Sequence, residues 1–269
     1  MVAQSEQQLA NLLAELRREG RQQSGLAEAL VPPDQDSAYR VAAQVAALLG
    51  WAHAGWKVAA TKTEMQRALR TTSPIYGRVF APFVYRSPAA LTFATLVHPV
   101  AECEYVIELG ADLPPRSHPY TQAEVRDAVK SISPGIEIAQ CRFTADANFP
   151  ALTAILADGS GSGCVVMGEP IPDWQDRDIA DQEIVLRVDG TDRRHGSARE
   201  ALEHPLVPLT WLANELSRTG IGLRAGEIFS SGTCTGMLRA RPGETHVADF
   251  GAFGDVRVAF SSSTNWPRD

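Results

Sequence analysis

The chain has 269 residues, 44% of them hydrophobic and 21% charged, with a formal net charge of −7. A sequence pI near 5.4 and a mean hydropathy of −0.14 argue against nucleic acid or an anionic membrane as partner, with only a local basic patch left open. No apolar run approaches the ~18–20 residues that a membrane helix needs. MVAQSEQQLANLLAELRREG lacks the basic start and apolar stretch of a secretory signal. Cys103, Cys141, Cys164 and Cys234 are scattered without C-x-x-C spacing, so they read as reduced thiols of a cytoplasmic protein.

Residues 1–75 read as a helical N-terminal region and 76–269 as a mixed-sheet core. Ser5 and Gln8 stand at capping-box spacing, Leu9, Leu12, Leu13 and Leu16 share one helix face, and Gly20 ends the pattern. After VPPD, Ala38, Val41, Ala42, Val45, Leu48 and Leu49 form a second apolar face, stopped by Gly50. GWKVAATK predicts a short strand, and Thr63 to Leu69 a helix opened by Thr63 and Gln66. Further strands are expected at 91–97, 103–109, 135–143, 163–168, 183–190, 227–232 and 255–260. One intervening helix is capped by Thr121 and Glu124. The other, PLVPLTWLANELSRTG, turns Leu209, Leu212 and Leu216 inward. This is not the regular alternation of a doubly wound sheet; it predicts a mostly antiparallel α+β core.

The stretch AECEYVIELG places Glu102 and Glu104 two apart in an apolar strand, hence on one face. Alternating glutamates suit a solvated face, with Cys103 and Tyr105 turned to the core. They also suit a bound cation, because like charges side by side need compensation. Glu137 is the single charge in the apolar strand GIEIAQCRF. Three glutamates from two strands would make an all-oxygen site, fit for Mg²⁺ or Mn²⁺ rather than zinc. Glu108 has the same parity but lies further along and reads as structural. Lys57, inside GWKVAAT, is either a snorkelling strand-edge lysine or an acid/base whose pKa a metal and an apolar wall push down.

An ordered series is present: GWKVAATKTEMQ, SPIYGRVF, AECEYVIELGADLP, SISPGIEIAQCRF, LADGSGSGCVVMG, HPLVPLTWLANELSRTGIGLRAGEIFSSGT and FGAFGDVRVAF. From about residue 36 to 260 it resembles the 2-oxopent-4-enoate hydratase / 4-oxalocrotonate decarboxylase group of the fumarylacetoacetate hydrolase superfamily. The resemblance implies that superfamily's C-terminal fold, a mixed β-sheet roll or barrel behind a helical N-terminal region. It implies a divalent metal, Mg²⁺ or Mn²⁺, held by Glu102, Glu104 and Glu137, and an acid/base or substrate-orienting role for Lys57. The family's A-D-N-x-S-like loop falls on Asp158 and Ser160, with Gly159 in place of the asparagine. Thr233, in the late S-G-T turn, would donate a hydrogen bond to a substrate carboxylate.

Read from the residues alone, LADGSGSG is a tight turn, without the lysine or spacing of a nucleotide cradle. Arg78 in IYGRVF suits either a substrate carboxylate or a structural ion pair. The six histidines show no metal-ligand spacing. The His–Glu dyad of superfamily hydrolases has no evident place in the N-terminal half, where His53 lies in an Ala-rich stretch.

The activity implied is metal-dependent addition of water to a 2-hydroxy-2,4-dienoate, giving a 4-hydroxy-2-oxo acid in aromatic-compound catabolism, with Lys57 and Asp158 moving protons. The alternatives are a 4-oxalocrotonate-type decarboxylase and an acylpyruvate C–C hydrolase. A third is a chain that chiefly serves a complex with a pathway neighbour. Homo-oligomerisation is expected from the resemblance only. The acidic stretch 169–183 and the basic GTDRRHG stretch read as solvated surface or as flanks of a pocket mouth.

Overall fold

Two amphipathic helices lead the chain in this computed structural model, which describes residues 2–263. α1 (Val2–Glu19) buries Leu9, Leu13 and Leu16. α2 (Gln35–Leu49) starts at Asp34, whose carboxylate accepts from Ser37 N at 2.8 Å, and stops at Gly50. Gly50 has φ 66°, a left-handed position that a side chain resists. Ser5 lies inside α1, so the expected capping box is not its start. α3 (Thr63–Leu69) likewise begins at Lys62, and Gln66 donates to Ala60 O at 2.8 Å instead of capping.

The first strands are β1 (His53–Ala59), β2 (Ile75–Phe80), β3 (Val84–Arg86), β4 (Ala89–Leu91), β5 (Val100–Leu109) and β6 (Val129–Ala139). Helix α4 (Gln122–Asp127) precedes β6 and carries the predicted capping box in full: Thr121 Oγ1 accepts from Glu124 N, and Glu124 Oε2 accepts from Thr121 N. Helix α5 (Leu152–Ala157) leads to β7 (Cys164–Met167), β8 (Ile184–Val188) and β9 (Thr191–Gly196). Helix α6 (Leu206–Arg218) buries Leu209, Leu212 and Leu216 as expected. It is followed by β10 (Ile228–Ser230), β11 (Leu238–Arg239), β12 (Thr245–Asp249) and β13 (Asp255–Phe260).

The larger sheet runs β2-β1-β10-β5-β6-β7-β3, with β11 also on β5; the smaller runs β4-β13-β12-β8-β9. β1–β10, β3–β7 and β4–β13 are parallel and the other pairs antiparallel, so the fold is α+β with mixed sheets. Alternation along β5 decides what each face does. Cys103, Tyr105 and Ile107 turn into a core shared with Leu186, Ala248 and Val256 of the smaller sheet. There the Tyr105 ring meets Phe250 edge-on at 5.2 Å. Glu102 and Glu104 turn to the opposite face, beside a second core formed by α1, α2 and α5 with Ile75, Phe80 and Phe143.

Two expectations change, and a third, the solvated GTDRRHG stretch, is met. The sheet begins at His53, upstream of the boundary set at residue 76, because β1 pairs with both β2 and β10. The 91–97 stretch is a strand only to Leu91. Phe93–Thr95 is a 3₁₀ turn, and Phe93 N donates to the Ser261 hydroxyl at 2.9 Å rather than to a neighbouring strand. The GTDRRHG stretch is the exposed edge strand β9. All four cysteines are free, and no described helix is long and apolar enough to cross a membrane.

Candidate metal centre and active-site cavity

Four adjacent strands present the site. Glu102 on β5 lies directly opposite Glu137 on β6, Glu104 lies opposite Gly135, and Lys57 on β1 lies beside Ser230 on β10. One carboxylate oxygen from each of Glu102, Glu104 and Glu137 falls within a span of 4.8 Å. All three are buried, Glu104 and Glu137 to 1% exposure. Lys57 Nζ sits 3.3 Å from Glu137 Oε1 and donates to Ser160 O at 3.0 Å. Glu104 Oε2 accepts from the Ser230 hydroxyl at 2.5 Å and from Gly232 N at 2.9 Å.

Three carboxylates against one ammonium leave a buried surplus of negative charge. Burial, and then the Glu137 carboxylate, push Glu102 up to about 7. Burial raises Glu104 well above its ordinary value and raises Glu137 despite the opposing pull of Lys57. Burial alone would lower the Lys57 ammonium; Glu137, Glu102 and Glu104 outweigh it and leave it above the ordinary range. Without a cation, the carboxylates hold the proton on Lys57; of the two causes expected from the sequence to lower it, burial acts in that direction and is outweighed.

The set fits a hard divalent cation. It is all oxygen, it carries surplus negative charge, and Glu137 Oε2 is buried with no hydrogen-bond partner. Such an orphaned acceptor is costly unless something binds it.

Lys57, Glu102 and Glu104 line a cavity of about 530 Å³, to which Ser160 and Thr233 also contribute, and Glu137 adjoins it through its contact with Lys57. Thr233 Oγ1 is buried and unpartnered, a donor available to a ligand. Ser160 has φ 55°, an uncommon conformation for a residue with a side chain; it aims its carbonyl at Lys57 while its hydroxyl donates to Tyr76 O at 2.6 Å. The turn lies hard against β2, where a Cβ on Gly77 would come within 2.0 Å of Gly159 O.

Two expected site residues do not reach this cavity. Asp158 is enclosed by arginines: Arg142 Nε donates to Oδ1 at 2.7 Å, Arg142 N to Oδ2 at 2.9 Å, and Arg17 Nε stands 3.5 Å from Oδ1. Arg78 places its guanidinium 4.5 Å over the Trp56 ring and Nη1 3.5 Å from His53 Nδ1. Both instead border a small separate void with Arg17. His53 pairs with Glu227 at 3.2 Å, but neither lines the main cavity. Glu108 makes an exposed ion pair with Lys130 at 2.7 Å, the structural part expected of it. Missed from the sequence were Ser230, which orients Glu104, and an apolar wall of Met65, Leu69, Ile75, Phe143, Phe149 and Ile155.

Comparison with known proteins follows the same strands. The chain is 28% identical over 266 residues to a 2-keto-4-pentenoate hydratase of Paraburkholderia xenovorans (strain LB400), covering 98% of this chain and 97% of the relative. It is 26% identical over 212 residues to a 2-oxo-hept-4-ene-1,7-dioate hydratase of Escherichia coli, covering 77% and 78%. In structure it is similar to the 4-oxalocrotonate decarboxylase from Pseudomonas putida G7 complexed with magnesium and adipate, with TM-score 0.89 at 20% identity over 97% of this chain and 98% of that one. The model of the fumarylacetoacetate (FAA) hydrolase C-terminal family matches residues 57–261. That match begins at Lys57 and takes in all three glutamates, Ser160, Ser230 and Thr233; the chain belongs to the fumarylacetoacetate (FAA) hydrolase C-terminal family.

Proposed function

We propose that this protein is a divalent-metal-dependent hydratase, a carbon–oxygen lyase adding water to a 2-hydroxy-2,4-dienoate of the 2-oxopent-4-enoate type to give a 4-hydroxy-2-oxo acid in aromatic-compound catabolism. The observation that carries it is a cluster of three buried carboxylates beside one cavity, two of them lining it together with a paired lysine and an unpaired hydroxyl. Relatives spanning nearly the whole chain and named as hydratases support it.

Glu102, Glu104 and Glu137 are the residues to hold Mg²⁺ or Mn²⁺, which when bound supplies Lewis-acid polarisation of the 2-oxo acid head. Lys57 keeps a proton on Nζ between Glu137 and Ser160 O, in place to deliver it to the dienol chain. Thr233 Oγ1 donates to the substrate carboxylate. The Ser230 hydroxyl and Gly232 N–H fix the orientation of Glu104. In this reading Asp158 is a positioning residue that holds the Ser160 turn, and Arg78 takes no part in binding. Decarboxylation would draw on the same groups. C–C hydrolysis is disfavoured because the paired His53 and Glu227 stand off the cavity.

The test follows the ultraviolet absorbance of enzymatically generated 2-hydroxypenta-2,4-dienoate with Mg²⁺ and with excess EDTA. Metal-dependent loss of the signal with a hydroxy-oxo acid product is the expected result; an unchanged signal in both overturns hydration of this substrate. A cytoplasmic location, a homo-oligomer and a complex with a pathway neighbour belong to the same proposal. Sedimentation with and without the co-expressed neighbour tests the assembly.

A further inference from the structure

Glu102, Glu104 and Lys57 account for only part of the cavity lining. An unsubstituted five-carbon dienoate has eight non-hydrogen atoms. Even at a water's share of roughly 30 Å³ each they fill less than half of the space within about 530 Å³. The apolar part of the remaining lining includes Met65 and Leu69 of α3, Ile75 of β2, the loop residues Phe143 and Phe149, and Ile155 of α5; of the polar residues there, Gln22 donates to Cys141 O and Phe143 O, and Gln140 accepts from Val97 N. None of the six apolar residues carries a charge or a hydrogen-bonding side chain. Three of them, Ile75, Phe143 and Ile155, are buried. Phe149 remains 42% exposed, and Met237, also lining the cavity, is 47% exposed. Two large apolar side chains left open along one cavity are a surface that an apolar ligand would cover.

The cations near the cavity are otherwise engaged. Lys62 is held by Glu200 at 2.7 Å, and Arg239 donates to His98 Nδ1 at 2.7 Å. Arg239 stands on β11 opposite Val100, beside the strand segment that bears the glutamates. A second carboxylate placed against these six apolar side chains would lose its hydration with no hydrogen-bonding group among them to replace it, a large cost.

From this wall we infer that the substrate carries an apolar substituent at the end remote from its 2-oxo acid head: a hydrocarbon tail of about four carbons or more, not hydrogen and not a second carboxylate. The inference rests on the 2-oxo acid reading above and names the substrate class within it. Leu69, on the exposed helix α3, is a specificity-determining residue of that wall.

The test is calorimetric titration of the Mg²⁺-loaded full chain with three saturated acids that cannot be hydrated: 2-oxopentanoate, 2-oxononanoate and 2-oxoheptanedioate. Each buried methylene should tighten binding about fourfold. After the cost of ordering the chain, 2-oxononanoate should bind at least about thirtyfold tighter than 2-oxopentanoate, and the dioate no tighter than 2-oxopentanoate. Leu69→Lys should weaken 2-oxononanoate at least about tenfold and tighten the dioate. Its half-buried position allows the change without loss of the fold, checked by an unchanged melting temperature. Equal binding of the three acids by the wild type, or preference for the dioate through Lys62, overturns the apolar tail and leaves the 2-oxo acid head intact. Failure of all three to bind overturns the tail together with the head. Because these acids are inert, their order of affinity stands apart from the dienol assay.

Discussion

Glu102 on β5 and Glu137 on β6 are direct cross-strand partners, Cα opposite Cα. Like charges in that relation repel, yet the register cannot slip. The flanking pairs Ala101–Ile138 and Cys103–Ile136 are buried, and a shift of one residue would turn Glu137 into the core. The apolar pattern therefore holds two carboxylates together against their own repulsion, and a cation is what relieves it.

Glu104→Gln tests the centre with least disturbance of shape. The amide keeps an oxygen for the Ser230 hydroxyl and Gly232 N–H but removes one negative charge. Mg²⁺ affinity should fall at least about a hundredfold and turnover with it, while the melting temperature without metal holds or rises. Wild-type Mg²⁺ affinity by calorimetry would remove Glu104 from the centre.

Lys57→Met separates chemistry from metal binding. Loss of the ammonium 3.3 Å from Glu137 removes a charge that competes with the cation, so Mg²⁺ should bind as tightly or more tightly. Loss of the proton donor should lower turnover by about 10²–10⁴. Unchanged turnover would make Lys57 a purely structural partner of Glu137 and Ser160.

The centre also predicts a pH dependence of metal stabilisation. Folding raises Glu102 from 4.5 to about 7, first through burial and then through Glu137. The folded chain thus retains a proton that the unfolded chain releases, and this group's contribution to stability declines as pH rises from about 4.5 to about 7. A cation that requires the ionised carboxylates works in the opposite sense. The rise in melting temperature given by saturating Mg²⁺ should be larger at about pH 8 than at about pH 5.5. Glu102→Gln should flatten the difference; an equal rise at both pH values in the wild type would contradict the direction of this shift.

Asp158→Asn addresses the residue that the sequence suggested for proton transfer. Its carboxylate is fully buried between Arg142 and Arg17, and removing that charge strands both guanidinium groups. The expected loss is about 3–5 kcal/mol, a fall of about 6–15 °C in melting temperature. A variant that melts like the wild type but loses turnover would restore Asp158 to the chemistry.

Thr233→Val should raise KM about tenfold and leave stability unchanged, because Thr233 Oγ1 has no partner to lose. Unaltered steady-state constants would take Thr233 out of substrate binding.

The metal centre was legible because it obeys short-range rules. Period two put Glu102 and Glu104 on one face, and Glu137 and Lys57 stood out as isolated charges in apolar strands. The box at Thr121 and Glu124 is equally local. The box at Ser5 misled because α1 already includes the residues before it. Asp158 was misread for a different reason. One of its partners, Arg17, lies 141 residues away, and no pattern within the loop announces a buried ion cluster. The apolar wall was hidden likewise: Met65, Phe143 and Ile155 belong to separate segments that only the packed fold brings to one cavity.

The placement of Arg17 has an outcome for the life of the molecule. Arg17, on the last turn of α1, donates to Asp158 O; the turn that follows Asp158 offers Ser160 O to Lys57. The leading helix is thus a brace whose far end is the ammonium beside Glu137. Because the same helix buries Leu9 and Leu13 in the second core, a protease cut that removes it would cost both the packing beside the glutamates and the brace on the lysine, so metal content and activity would fall together as a preparation ages.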